Sequence, residues 1–484
     1  MSNAIEGLEP ASVWKYFAEL SKIPRGSKNE KAASDWVLKT ARRLGLEASQ
    51  DRVRNVRVRK PATPGREGAP SVCLQGHLDM VCEKRPDVHH DFLKDPIRLV
   101  RDGEWLRADG TTLGADNGIA VATCLAVMEA TTLRHGPLEF LFTVDEETGL
   151  TGAHSLAPDF VRSRILLNLD SEEEHALFVG CAGGRDTTGT WELERDDAPA
   201  GAVALTIRVG GLRGGHSGLE IDKGRANALK LLGRAVRRVA PLGARVSRMD
   251  GGNKRNAIPR DAAALVFVPK ARVEEARAAV EAFDAVARAE FATPEPGLRI
   301  SAEAARARGG KVWKRALQKR VLQAIAALPH GVAKMSAEIS WLVETSSNVA
   351  VLETKSRSVV LTTSQRSSVA SEIEEIADAV EAVFELAGAG VSGSDGYPGW
   401  KPDLGSAILK TAVEVFRRVR GGEPEVKAVH AGLECGIIGE KYPGMDMVSF
   451  GPTLEAVHSP DEKIHIGSVE RYWNFLLGIL RNVA

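Results

Sequence analysis

The chain has 484 residues, 43% hydrophobic and 26% charged, a balance that excludes wholesale disorder, a fibrous repeat and a minimal peptide scaffold. At roughly 100–200 residues per domain, the length accommodates two or three cores. Lys plus Arg and Asp plus Glu both number 64, so the chain lacks the net positive charge on which non-specific nucleic-acid binding depends, and no nucleic-acid partner is expected. Apolar spacing over residues 11–46 predicts two amphipathic helices, the first with Trp14, Phe17, Ala18 and Leu20, the second with Ala33, Trp36, Val37 and Ala41. Runs of β-formers predict strands over 55–59, 71–75, 138–144 and 165–169, with a helix over 118–130 among them. Strands interleaved with helices imply an α/β sheet, much of it parallel.

Past Gly184 the pattern changes. Strands are predicted over 202–209, 262–268, 348–353 and 358–363, and helices over 223–239, 273–291 and 371–387, a self-contained α+β block. Residues 388–402, rich in Gly, Ser and Pro, read as a linker before a helix over 404–419 and a strand over 446–449. We infer a discontinuous architecture in which 1–185 and 395–484 build one domain and 186–394 is inserted into it. No run reaches the ~18 apolar residues of a membrane span, and Met1 to Pro10 lack the features of a secretory signal. No membrane partner is expected, and a cytoplasmic location is. Five scattered cysteines without a CxxC pair suit reduced thiols.

Three predicted strands run directly into acidic or imidazole groups: Gln75-Gly-His-Leu-Asp79, Val144-Asp-Glu-Glu147 and Leu169-Asp170. Ligands of open α/β sheets collect beyond the carboxyl ends of the strands, so these groups could share one crevice. His77 and Asp79 lie two apart and point the same way, which suits either an ordinary hydrogen-bonded pair or a metal-bound imidazole steered by a carboxylate. Asp116, between Gly114 and Gly118 and before an apolar helix, reads in isolation as the cap of that helix. The acids 145–147 read as a solvated run unless cations compensate their repulsion in a crevice. With His458 in a Pro-flanked loop, two histidines and three carboxylates (Asp116, Glu147, Asp170) are the ligand types of a paired zinc or manganese centre. Two divalent cations bring four positive charges, which three carboxylates and one hydroxide cancel.

The segments Gln75-Gly-His-Leu-Asp-Met-Val81, Thr112-Leu-Gly-Ala-Asp-Asn-Gly118, Asp145-Glu-Glu-Thr-Gly149, Asn168-Leu-Asp-Ser-Glu172 and His458-Ser-Pro-Asp-Glu462 together resemble the M20 metallopeptidases. Gly214-Gly-His-Ser-Gly218, Arg255-Asn-Ala-Ile-Pro-Arg260 and His430-Ala-Gly-Leu-Glu-Cys-Gly436 resemble their aminoacyl-histidine dipeptidase branch. The resemblance extends from about residue 10 to the C-terminus. It implies an α/β fold, a zinc-peptidase-like mixed sheet flanked by helices, with the inserted α+β domain serving as lid and dimerisation domain.

By the same resemblance, His77 and Asp170 complete one metal site, Glu147 and His458 the other, and Asp116 bridges both ions. Asp79 orients His77, and Glu146 is the general base for a water activated between two divalent ions, zinc first, with manganese or cobalt as alternatives. The roles of Glu146 and Glu147 could be exchanged, the motif favouring this order. His216 would donate to the developing oxyanion. Asn256, Arg260 and Arg366 would recognise the substrate carboxylate, and His430 and Glu434 would line the pocket near its amine. The implied activity is hydrolysis of unblocked dipeptides, Xaa-His included, by a homodimer. An N-acyl amino acid amidohydrolase on the same framework, or a catalytically silent binding protein, are the alternatives. No GxSxG, P-loop or HExxH motif occurs.

Overall fold

Two strands are buried at every position, Val72–His77 and Leu138–Thr143, as both faces of a covered sheet require, with the polar Gln75, His77, Glu139 and Thr143 buried among their apolar neighbours. In the computed structural model, which describes residues 3–307 and 310–483, they pair in parallel with each other. Val72–His77 also pairs in parallel with Ile165–Asn168, which is parallel in turn to Asp446–Ser449. The antiparallel strands Glu47–Gln50 and Val56–Lys60 extend one side of this core, and Ala176–Cys181 and Glu425–Val429 the other, giving an eight-stranded mixed sheet. The apolar helix Ala115–Glu129 packs on Val72–His77 and on the N-terminal helix Ala11–Leu20, whose Trp14, Phe17 and Leu20 are buried. Helices Ala407–Arg420 and Ile466–Asn482 pack together near Asp446–Ser449. These elements belong to a first unit comprising Met1–Gly180, Trp400–Ala428 and Leu433–Ala484.

Register fixes where the strands of this unit deliver their side chains. Gln75 lies opposite Leu141 and Asn168, and His77 opposite Thr143. The carboxyl ends of three neighbouring parallel strands therefore run out side by side into 78–79, 144–147 and 169–170. A smaller sheet pairs Leu99–Asp102 with Trp105–Ala108, and the latter with Lys463–His465. Lys463–His465 forms a hairpin with Leu454–Glu455, and the tip of that hairpin carries His458.

The second unit, Cys181–Gly399 with Val429–Gly432, is built on an antiparallel sheet. Helices Ala228–Val239, Val273–Glu290, Arg315–Ala327 and Ala370–Leu386 place Leu232, Val236, Phe283, Val321, Ile325 and Phe384 in one apolar cluster with Leu205, Ile207, Val246, Val266, Leu352 and Leu361 of the strands. Two local outcomes differ from the sequence expectation. The helix expected from residue 223 starts at Ala228, because the Asn227 side chain accepts from the amides of Leu229 and Lys230 and so sets its N-terminus. Part of the expected linker, Gly390–Gly393, is a strand paired antiparallel to Gly183–Glu192, where backbone pairing overrides a composition poor in β-formers. Among the described residues, no cysteine is in a disulfide. Among the described residues, no helix is long and apolar enough to cross a membrane.

Candidate metal centre

His77 ends its strand fully buried, with Nε2 3.0 Å from Asp116 Oδ1 and 3.4 Å from Asp170 Oδ1. His458, at the hairpin tip with a left-handed φ of 63°, places its Nε2 3.0 Å from Asp116 Oδ2 and 3.0 Å from Glu147 Oε2. The two oxygens of Asp116 therefore face two different imidazoles. Each Nε2 carries at most one proton and cannot satisfy two carboxylates at once, so hydrogen bonding alone does not account for the convergence. Donor atoms 3.0–3.4 Å apart match the edge of a tetrahedron with corners ~2.0–2.1 Å from a zinc ion. Two overlapping groups, His77–Asp116–Asp170 and Asp116–Glu147–His458, thus fit a pair of divalent ions sharing Asp116. Imidazole nitrogen with carboxylate oxygen is a donor set for zinc and also for manganese.

The surrounding chain explains how these groups are held. Asp79 Oδ1 stands 3.3 Å from His77 Nδ1 and accepts the Glu146 amide at 3.0 Å, while Oδ2 accepts the Glu147 amide at 3.2 Å and the Ser27 hydroxyl at 2.8 Å. One carboxylate thus braces an imidazole and the single-turn helix Glu146–Gly149. The acidic triplet divides: Asp145, at φ 52°, turns inward and accepts from the hydroxyls of Thr148 and Thr151, leaving Glu146 and Glu147 beside His77. Asp116 does not cap the helix it begins. Gly114 occupies that position at φ 67°, where a Cβ would lie 2.6 Å from the Arg25 guanidinium. Asn117 accepts the His77 amide at 3.2 Å and donates to the Leu169 carbonyl at 3.0 Å. A side chain on Gly76 would stand 2.4 Å from its Oδ1.

Glu434 is wholly buried and accepts from Gln75 Nε2 and Thr143 Oγ1, both at 2.6 Å. Gln75 in turn accepts from Asn168 Nδ2 at 2.5 Å. Glu434 thereby closes a polar network beneath the strands that carry His77, Glu146 and Asp170. The other expected site residues belong to the second unit. His216 Nδ1 accepts the amides of Gly218 and Leu219 at 3.2 and 3.1 Å, so the ring proton of the neutral imidazole sits on Nε2. Burial, with the charge of Arg366, pushes this imidazole down to about 4. His216, Asn256 and Arg260 line one cavity of about 780 Å³. Arg366 is buried and donates to the Tyr397 hydroxyl at 3.0 Å, and His430 Nε2 lies 2.7 Å from Ser346 Oγ.

The sequence profile described as Peptidase family M20/M25/M40 matches residues 73–482. The chain belongs to this family. Among M20 relatives, it is 39% identical over 478 residues to the cytosol non-specific dipeptidase of Escherichia coli (strain K12), covering 98% of each chain. The aminoacylhistidine dipeptidase of Vibrio alginolyticus superposes with a TM-score of 0.91 at 41% identity, over 98% of this chain and 97% of that one. Aminopeptidase PepT of Bacillus cereus ATCC 10987 shares the fold, with a TM-score of 0.57 at 17% identity over 98% of this chain and 99% of that one.

Electrostatics in this M20 site reflect how strongly it calls for cations. Burial pushes the Glu146 carboxyl well above the usual range, the Asp170 carboxyl up to about 6 and that of Glu434 up to about 7. Burial also opposes the Asp116 anion, but hydrogen bonds from His458 and then His77 outweigh it and hold this carboxyl below the usual range. Its hydrogen bonds to Asp116 and Glu147 push the His458 imidazole up to about 11, so the metal-free ring is protonated at pH 7. A ligating imidazole must be neutral. Against burial, Asp170 and then Asp116 hold the His77 imidazole well above its usual range too, so metal uptake at pH 7 is expected to release protons from both imidazoles, and apparent affinity to rise with pH, since a higher pH removes the competing protons. Titration calorimetry in two buffers of different ionisation enthalpy checks this; equal heats in both would contradict it.

Arg25, Glu30, Asn117, Thr143 and Glu462 also shape the site, although sequence reasoning gave them no role. Glu30 accepts the Asp145 amide at 3.0 Å. Of the five, Asn117 and Glu462 lie inside the segments that carry the family resemblance, which was the one signal pointing to them.

Proposed function

We propose that the protein is a dinuclear metal-dependent dipeptidase acting on unblocked dipeptides, Xaa-His among them. The observation that carries this reading is Asp116, whose Oδ1 and Oδ2 each lie 3.0 Å from a different histidine Nε2. The names of the Escherichia coli and Vibrio relatives support the substrate class.

His77, Asp170, Asp116, Glu147 and His458 would hold the ions. When bound, two divalent ions supply Lewis acidity toward the scissile carbonyl and lower the pKa of the attacking water. Glu146 takes the proton of that water and passes it to the leaving amine. Its raised pKa suits both directions of transfer. Asp79 fixes the direction of Glu146 by accepting its amide. His216, protonated on Nε2, donates to the carbonyl oxygen as charge develops there. Arg366 offers a planar fork to the substrate carboxylate, with Asn256 and Arg260 as further partners; His430 and Glu434 are assigned to the amine end.

The inserted unit is assigned the lid and the contact of a homodimer. Its strand Gly331–Met335 exposes Val332 and Met335, apolar surface suited to such a contact. The absence of disulfides among the described residues accords with a cytoplasmic location.

Kinetics on metal-defined protein test the reading. Ala-His is expected to be cleaved with kcat/KM about 100-fold or more above any N-acetyl amino acid, because a site that pairs a charged amine leaves polar groups unpaired when the amine is blocked. The opposite order would make the protein an aminoacylase.

A further inference from the structure

We infer that Glu462 is a positioning residue for the metal centre, its buried carboxylate locking the turn that carries Asp116 to the loop that carries His458. The inference rests on the reading of Asp116 and His458 as metal ligands. Glu462 is 2% exposed. Its Oε2 accepts the amides of Leu113 and Gly114 at 2.7 and 2.9 Å, and its Oε1 those of Ala115 and Asp116 at 2.8 and 3.3 Å. Four consecutive donors at one helix start thus converge on a single side chain 346 to 349 residues away in sequence.

The other end of this tether is short and stiff. The Glu462 amide donates to the Ser459 carbonyl at 3.1 Å, and the Ser459 hydroxyl to the Ala456 carbonyl at 2.7 Å, bracing the loop on which His458 sits. Arg25 secures the same turn from behind: buried, it donates to the carbonyls of Leu78 and Asp79 at 2.9 and 2.8 Å and to that of Gly114. Burial works against its charge, and Glu462, then Asp79, offsets that. The segments bearing His77, Asp116 and His458 are therefore joined through Glu462 and Arg25, whose hydrogen bonds here go to backbone amides and carbonyls.

Glu462→Gln tests the inference, because an amide keeps one acceptor oxygen and sets an NH2 group against backbone donors. Metal-free protein is titrated with Co2+, reading stoichiometry, affinity and the visible absorption of the bound ion. Wild type is expected to take up two ions; Glu462→Gln should lose about 10–100-fold in affinity for at least one, with altered absorption. Glu139→Gln is the control. Glu139 is another buried carboxylate that accepts backbone amides, those of Arg162 and Ser163, at the opposite end of its strand from Thr143. It should lose thermal stability with Co2+ binding unchanged.

Two ions bound by Glu462→Gln as tightly as by wild type, or an equal loss in Glu139→Gln, would overturn the inference. Fewer than two ions in wild type would instead overturn the metal-centre reading. If Glu462→Gln does not fold, the titration passes to Arg25→Lys, whose single nitrogen cannot span the three carbonyls, and unchanged affinity there overturns the inference equally.

Discussion

Glu146→Ala is expected to lose about 10³-fold or more in kcat while still binding two ions, a loss within the range assigned to a positioned general acid–base group. The argument turns on the difference between two adjacent glutamates. Glu147 places a carboxylate oxygen 3.0 Å from His458 Nε2, where it shares a ligand group with Asp116. Glu146 instead has its carboxyl held well above the usual range by burial, which suits a group that must take a proton and return it. Their amides are held by separate oxygens of Asp79, which keeps the two side chains from exchanging places. Removing Glu146 should therefore abolish turnover at unchanged metal content, whereas Glu147→Ala should lose an ion as well. Steady-state kinetics beside elemental analysis of the dialysed variants separates the two. Near-normal turnover in Glu146→Ala would remove it as the base, and metal loss there in place of Glu147→Ala would exchange the roles.

What the sequence made legible follows the range of the forces involved. Buried parallel strands such as Leu138–Thr143 are legible because their apolar runs reflect burial on both faces. Strand Gly183–Glu192 is not, since its glycines and threonines belong there only through pairing with Ser358–Ser367 and Gly390–Gly393. The same division holds in the candidate site. His77, Asp116, Glu147, Asp170 and His458 are legible because each stands in a segment whose order and residue types carry a family resemblance.

Their supports are long-range and were not legible. The Glu462 carboxylate accepts the amides that local rules would leave to Asp116, and Gln75, Asn168 and Glu434 meet only after three strands and a helix have assembled. Asp145 reads as one of three solvated acids, yet a left-handed backbone turns it into the protein, where two threonine hydroxyls receive it. Local pattern thus finds the candidate ligands, while the hydrogen bonds that aim them depend on the finished fold.

Asp116→Ala should be the most damaging single change to metal binding, costing more than either histidine. His458→Ala removes one donor from the group it forms with Asp116 and Glu147, leaving His77, Asp116 and Asp170 for the other ion. Asp116→Ala removes a donor from both groups and also the negative charge between them. Three carboxylates offset three of the four positive charges; two leave a pair of dications in a partly buried site with one less anion to screen their repulsion. Tightly bound zinc is therefore expected to fall from two ions to one or none in Asp116→Ala, and to one in His458→Ala, with activity of the first at about 10⁻³ of wild type or below. Asp116→Asn refines the test, since an amide keeps one ligand oxygen but neither the second nor the charge. It should hold one ion and lose the other. Retention of both ions at wild-type affinity in Asp116→Ala would mean that the two groups do not share this carboxylate, and the pair of imidazoles 3.0 Å from its oxygens would then need a different explanation.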